Sequence, residues 1–313
     1  MTELTGDIVL GPNRYGKAET RIVRIYRDSP RHEIRDINVS SCLTGDFADA
    51  YLQGDQANVL PTDTQKNTAY AYAKEKGIES VEQFGLDLAA HFVDDIAPVR
   101  RALIELDEYA WARAVVDGSE HNHTWLRTGQ EVRTASVTAE GKGDERRTYI
   151  VSGLKDLVIL KSTGSEFAGF MRDEYTTLEP THDRVMATSL VARWRYTTTK
   201  PDDFVGDLDF DALYAGVKEA MVERFANLQS LALQQTLYAM GRAVLEKFPV
   251  IAEIRLSAPN KHHFGYDLAR FGLSNDNEVF NADDRPYGLI EATVQRSDAP
   301  DAGPAWASFS VVG

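Results

Sequence analysis

Four short polar segments interrupt otherwise regular sequence, and their residue types could do chemistry. The first is Arg14-Tyr15-Gly16-Lys17. A lysine there is either a solvated surface charge or, if buried, an amine whose lowered pKa lets it act as a base. The second runs from Pro61 through Thr62 and Asp63 to Thr68. Thr62 or Asp63 can serve as a helix N-cap. The same Thr62 hydroxyl, with the amides of a helix start, could instead face an anion. The third is Leu160 to Phe167, followed by Thr181-His182-Asp183-Arg184. Phe167 and Arg184 could grip a planar heterocycle, one by stacking and the other by a bidentate fork. They could equally be a core Phe and half of an Asp-Arg pair. The fourth, Ser257-Ala258-Pro259-Asn260-Lys261-His262-His263-Phe264, reads as a donor-rich loop at a strand end or as polar surface. Gln234, near a helix start, adds an amide that can read a paired donor and acceptor on a base edge.

Familiar cofactor motifs are missing. No phosphate loop, dinucleotide fingerprint, serine-hydrolase elbow or His-Glu-x-x-His motif occurs in the chain. His121-Asn122-His123 beside Glu120 has metal-ligand residue types at strand spacing, yet a polar strand end near a turn explains it better. No metal site and no cofactor are expected.

These segments need elements to hold them. Thr20–Arg27 and Glu33–Ser40 alternate as a strand pair. Thr64–Lys76 reads as a helix stopped by Gly77, and Val81, Phe84, Leu88 and Phe92 fall on one face of a second helix. Arg101–Val116 returns to strand. The order then repeats. Glu131–Ala139, one or two strands in Arg147–Leu160, and Arg193–Thr198 precede two helices. Phe210, Leu213, Tyr214, Val217, Met221 and Phe225 mark the first, and Leu233, Leu237, Met240, Val244 and Phe248 the second, with Ser230 as its expected N-cap. Val250–Leu256 and Leu289–Gln295 close the half. Two strand-strand-helix-helix-strand-strand units predict an α+β fold, each an antiparallel sheet with a pair of helices on one face. The expected division is 1–128, 129–296 and a weakly ordered tail, 297–313. Open sheet edges predict oligomerisation.

The chain has 313 residues, enough for two such units. Its net charge of -14 disfavours non-specific nucleic-acid binding. Its single cysteine, Cys42, rules out an intrachain disulfide framework. No apolar run is long enough to span a bilayer, and Met1–Gly16 lacks signal-peptide character. A soluble, cytoplasmic protein without membrane partners is expected.

Taken together, the segments resemble urate oxidase (uricase) from about Arg14 to Arg296. The likeness rests on Arg14-Tyr15-Gly16-Lys17, Thr62-Asp63 with Lys66-Asn67-Thr68, Leu160-Lys161-Ser162-Thr163 through Phe167, Arg172-Asp173-Glu174-Tyr175-Thr176-Thr177-Leu178, and Pro259-Asn260-Lys261-His262. The resemblance implies the tunnelling fold (T-fold), in a homotetramer with active sites between subunits. It implies oxidation of urate by O2 and water to 5-hydroxyisourate and hydrogen peroxide, without cofactor. By position, Lys17 and Thr62 of one subunit resemble a proton-relay pair, with His262 as its third member through a water. Asn260 and Thr62 would hold oxygen, water or peroxide above the ring. From the facing subunit, Phe167 would stack on the purine, Arg184 would fork onto one edge and Gln234 would pair with the other. The backbone at Asp63 and Leu233 would add hydrogen bonds, and Ile290 would wall the pocket. Leu233 stands where related sequences often carry Val. The alternative, a non-catalytic purine- or pterin-binding protein of the same fold, has no need for Lys17, Thr62, Asn260 and His262 together. A pterin-forming cyclohydrolase of this fold would need zinc ligands that the chain does not supply.

Overall fold

A computed structural model describes residues 6–204, 206 and 208–309 of the chain. Eight strands form one open antiparallel sheet whose spatial order follows chain order. They are β1 (Tyr15–Tyr26), β2 (Glu33–Gly45), β3 (Val99–Val116), β4 (Ser119–Glu140), β5 (Arg147–Lys161), β6 (Met186–Tyr196), β7 (Ile251–Gly265) and β8 (Phe280–Gln295). Between β2 and β3 lie α1 (Ala48–Leu52), α2 (Thr62–Glu75) and α3 (Val81–Asp94). Between β6 and β7 lie α4 (Phe210–Asn227) and α5 (Leu233–Lys247). The repeated order of strand pair, helices, strand pair is therefore present.

One face of the sheet is apolar across its whole width. Val39 pairs with Leu106, Leu106 with Ala135, Ile104 with Val137, and Val137 with Ile150. Farther along, Ala192 pairs with Leu154 and Leu256, and Trp194 with Ile254. All are buried in one core with Phe84, Leu88 and Phe92 of α3 and Leu237, Met240 and Val244 of α5. Alternate strand residues point the other way, which the period of two requires. Each half contains a helical glycine at the point of closest approach. A Cβ on Gly85 would come 2.7 Å from Val137 Cγ2, and one on Gly241 would come 2.6 Å from Val294 Cγ2.

Charged groups join the halves beneath the helices. Arg133 of β4 donates to Glu82 of α3 at 2.6 Å and to Asp211 of α4 at 2.5 Å. Arg35 of β2 donates to the same Asp211 at 2.6 Å and to Glu108 at 2.7 Å.

Several expectations need correction. The expected 128/129 division falls inside β4, which is continuous from Ser119 to Glu140. Arg147–Lys161 is a single strand. The donor-rich segment Ser257–Phe264 is strand, not loop, and β8 begins at Phe280 rather than Leu289. Ser230 does not cap α5; Ala232 holds that place without a side-chain bond, and the Ser230 hydroxyl donates to Ala232 O at 3.1 Å. Pro61 occupies the N-cap place of α2, so neither Thr62 nor Asp63 caps it. The expected weakly ordered tail includes a regular turn. Gly303–Trp306 forms a 3-10 turn with Ala305 buried, while the tail's last four residues, 310–313, lie outside the described residues. In the 200–208 segment, Pro201–Phe204 is a 3-10 turn that buries Phe204; residues 205 and 207 lie outside the described residues.

Candidate active site

On the apolar face, Ile254, Leu256 and Ala258 of β7 pack in the core with α5. The strand continues past the start of that helix, and its inward positions become polar. Asn260 and His262 follow Ala258 at a spacing of two, so they share its face. Ile290 of β8 is the direct partner of Ala258. The space so created is a cleft of about 440 Å³. Phe167, Arg184, Leu233, Gln234, Asn260, His262 and Ile290 all line it. Seven of the ten expected site residues therefore meet within one chain.

Their support comes from a compact stitch between distant segments. Ser165 and Ser230 form an isolated parallel bridge, with Glu166 N donating to Ser230 O at 2.8 Å. Phe167 and Thr181 exchange two backbone hydrogen bonds, at 2.8 and 2.9 Å. Arg184 N donates to Ser165 O at 2.8 Å, and its Nε donates to Ser165 Oγ at 3.3 Å. Thr236 of α5 donates to Ser230 Oγ at 2.7 Å. These bonds hold Phe167 and Arg184 against the first turn of α5, which carries Leu233 and Gln234. The first amides of a helix have no acceptor within it, so this turn presents free N–H groups and the positive end of the helix dipole.

Arg184 sits with its Cζ 5.4 Å from the centroid of the Phe167 ring. Burial pushes its guanidinium below its ordinary pKa. Asn260 Nδ2 and His262 Nδ1 are 3.5 Å apart, and the His262 ring stacks on Phe264 at 5.5 Å. The cleft thus offers an aromatic face, a cationic fork, an amide and an imidazole. That set suits a flat, anionic ligand with donors and acceptors on its edges.

Lys17, Thr62 and Asp63 are not in the cleft. Lys17 is on β1, and Thr62 and Asp63 open α2. They form a group of their own. Tyr15 donates to Leu60 O at 3.0 Å and ties the start of β1 to the approach to α2. The Asp63 carboxyl is held below its usual range by hydrogen bonds from Lys66 and Asn67, with a smaller contribution from the charge of Lys17. Gly16 permits the neighbouring strand to come close, since a Cβ there would lie 1.8 Å from Ser41 O. β1 is six strands from β7. At about 4.8 Å per strand, the two groups stand on the order of 30 Å apart along the sheet. Asn260 and His262 accordingly belong with Phe167 and Arg184, not with Lys17 and Thr62.

Other cleft residues were given no role by the sequence, although Leu178, Thr181, Asp183 and His263 lie within the segments and motifs it singled out. Leu178, Thr181, Asp183, His263 and Phe280 also line the cleft, and Ser165 and Ser230 support it from 65 positions apart. Among the described residues, no three His, Cys, Asp or Glu side chains are placed to hold a metal ion. His121 and His123 do touch, with ring centroids 4.5 Å apart. No helix among the described residues is long and apolar enough to cross a membrane.

Known proteins share both the sequence and this architecture. A family model described as Uricase matches residues 13–138 and 150–291. The chain is 49% identical to the uricase of Arthrobacter globiformis over 303 residues, 97% of this chain and 95% of that one. It is 38% identical to the uricase of Danio rerio over 288 residues, 90% of this chain and 93% of that one. The crystal structure of uricase from Arthrobacter globiformis matches with a TM-score of 0.88 at 48% identity, covering 97% of this chain and all (100%) of the other. Urate oxidase from Bacillus sp. TB-90, 22% identical with a TM-score of 0.79 over 91% of this chain and 100% of that one, shares the fold. The model match across both halves and the identity over nearly the whole length have one consequence: the chain belongs to the uricase family.

Proposed function

We propose that this protein oxidises urate with O2 and water to 5-hydroxyisourate and hydrogen peroxide, at a site assembled from two copies of the chain. The observation that carries this reading is the meeting of Phe167, Arg184, Gln234, Asn260 and His262 in one cleft of a uricase-family chain. Urate is planar and anionic, with donors and acceptors on its edges. Phe167 stacks on its plane, Arg184 forks onto one edge and Gln234 pairs with the other. The amide of Leu233 at the start of α5 adds a donor, and Ile290 closes the wall.

Once deprotonated further, urate is electron-rich enough to reduce dioxygen. The protein then has to supply orientation, a base and a place for oxygen. Lys17 and Thr62 take the proton, His262 passes it on through a water, and Asn260 with Thr62 holds O2 and then water above the ring. Lys17, Thr62 and Asp63 reach the cleft from a neighbouring copy, since their own cleft lies six strands away. A homotetramer continues the open edges at β1 and β8 and builds four such sites. The balance is complete: urate gains one oxygen from water and loses two electrons and two protons to O2, which leaves as peroxide. The reaction calls for no metal or organic cofactor. A non-catalytic purine binder leaves Lys17 and Thr62 without a purpose.

The test uses chelator-treated protein mixed with urate in air. Loss of the urate ultraviolet band, oxygen uptake and peroxide release are followed together. Equal rates in all three are expected. Urate binding without oxygen consumption would reduce the protein to a binder, and absence of binding would remove the substrate assignment.

A further inference from the structure

The sheet face turned away from the helices holds a separate cleft of about 480 Å³. Its outward positions lie in register across β6, β7 and β8. Val191, Ser257 and Glu291 form one row, and Arg193, Arg255 and Thr293 the next. Arg193 and Arg255 are thus direct cross-strand partners. Like charges so placed destabilise a sheet. The Arg193 guanidinium is held below its ordinary pKa by burial, with the charge of Arg255 acting in the same direction, while Glu105 and Asp107 pull the other way.

The donors in this cleft are largely unspent. Among the described residues, the Arg193 guanidinium makes no hydrogen bond or ion pair. Arg255 lies flat on Trp306, 3.8 Å from its ring, and donates its Nε to Glu253 at 2.8 Å, which leaves its outer edge free. Trp306 Nε1 is buried and finds no partner among the described residues. The hydroxyls of Ser257 and Thr293 have no side-chain partner among the described residues. Against these donors stands one carboxylate on the lining, Glu291.

We propose that this cleft binds free hydrogen phosphate. Two guanidinium groups and two hydroxyls suit a small oxyanion with several acceptor oxygens. Glu291 would repel an anion that has no proton, but it can accept the P–O–H of hydrogen phosphate. Sulfate and a phosphomonoester dianion lack that proton at neutral pH. The bound anion would also relieve the repulsion between Arg193 and Arg255. The site lies on the opposite sheet face from the Phe167 cleft, so it stands independently of the reading given above.

The test is calorimetric titration of the full-length protein with sodium phosphate at constant ionic strength and neutral pH. Sodium sulfate and glycerol 3-phosphate are titrated in parallel. Saturable binding of phosphate is expected, at least fivefold tighter than of either comparison anion. Arg193→Gln should weaken it at least tenfold, and Thr293→Val should weaken it less. Should Arg193→Gln fail to fold, Arg193→Lys keeps the charge but not the fork and should also weaken binding. Equal binding of sulfate and phosphate, binding unchanged in the Arg193 variants, or no saturable binding by the parent protein would each overturn the proposal.

Discussion

The ring of Phe170 lies parallel to that of Phe167, with centroids 5.0 Å apart and planes 12° from parallel. Gly169, at a φ of +73°, makes the reversal that brings the chain back over itself. Phe167 lines the cleft and Phe170 does not. Phe170 therefore backs the ring on which, in the proposed reading, urate stacks. Such a ring pair contributes about 0.5–1.5 kcal/mol. Phe170→Leu should raise KM for urate about two- to tenfold, with kcat nearly unchanged, because the ring acts on binding alone. Phe170→Tyr should restore the parent KM. Steady-state kinetics decide it, and an unaltered KM in Phe170→Leu would refute the backing role.

If the site is shared between copies, as proposed, a consequence follows that no single variant reveals. On that reading, Lys17→Met removes the proposed base from one half-site, and Arg184→Gln removes the proposed fork from the other. Each variant alone should lose activity, Lys17→Met by about 10²–10⁴-fold. Unfolded together and refolded as mixed oligomers, the two should recover part of the parent rate. Lys17 from one chain then meets Arg184 from the other in some of the sites. If the full site lay within one chain, mixing would restore nothing.

The parts that could be read from the sequence are the locally periodic ones. Val81, Phe84, Leu88 and Phe92 recur at helical spacing, and all four are buried in α3. The strand that carries Asn260 and His262 is not legible in this way. Pro259 and a run of polar residues look like a loop when taken alone. They are extended because the backbone pairs with distant strands, Asn260 opposite both Thr188 and Gly288. Pro259 is tolerated where the β6 partners step from Ser257↔Val191 to Asn260↔Thr188. The bridge from Ser165 to Ser230 leaves no periodic trace, since the bonds across it, Glu166 N to Ser230 O and Ser230 N to Gly164 O, are made by backbone groups. Residue types pointed to Phe167, Arg184 and Gln234. The separation of Lys17 from His262 needed the strand order.

The Arg133–Glu82 pair should matter more to stability than the surface ion pairs do. Their side chains are 7% and 1% exposed. Burial pushes the Glu82 carboxyl above its usual pKa, and Arg133 together with the Ser152 hydroxyl opposes that shift. Arg133→Met would leave Glu82 uncompensated, at a cost of about 3–5 kcal/mol. Glu82→Gln in that background should recover part of the loss. The pH dependence has a definite sign. A carboxyl whose folded pKa is raised binds more protons folded than unfolded, so its ionisation opposes folding as pH rises through that interval. The deficit of Arg133→Met should be greatest above the raised Glu82 value and shrink as pH falls through it. Denaturant midpoints at fixed protein concentration, measured from pH 7 downward, test this. A deficit that grows on acidification would contradict it.

Gly241 links packing to the cleft lined by Phe167 and Gln234. α5 carries Leu233 and Gln234 on its first turn, and Gly241 lies two turns farther along the same helix. A Cβ at Gly241 would meet Val294 Cγ2 at 2.6 Å, Val294 Cβ at 2.8 Å and Ile254 Cγ2 at 3.2 Å. Two of these contacts are too short to keep, and both belong to a branched side chain with little freedom to turn away. The helix would have to lift from β7 and β8. Alanine improves helix propensity by about 1 kcal/mol over glycine, but overpacking a filled core costs about 1–3 kcal/mol. The clash should dominate, so Gly241→Ala should lower stability by up to about 2 kcal/mol. The same lift moves Gln234 relative to Arg184, which is anchored to Ser165 and not to the middle of α5. KM for urate should therefore rise along with the loss of stability. Thermal denaturation and urate kinetics on the same preparation check both effects. A stabilised Gly241→Ala with parent KM would mean that α5 can rise without disturbing the cleft.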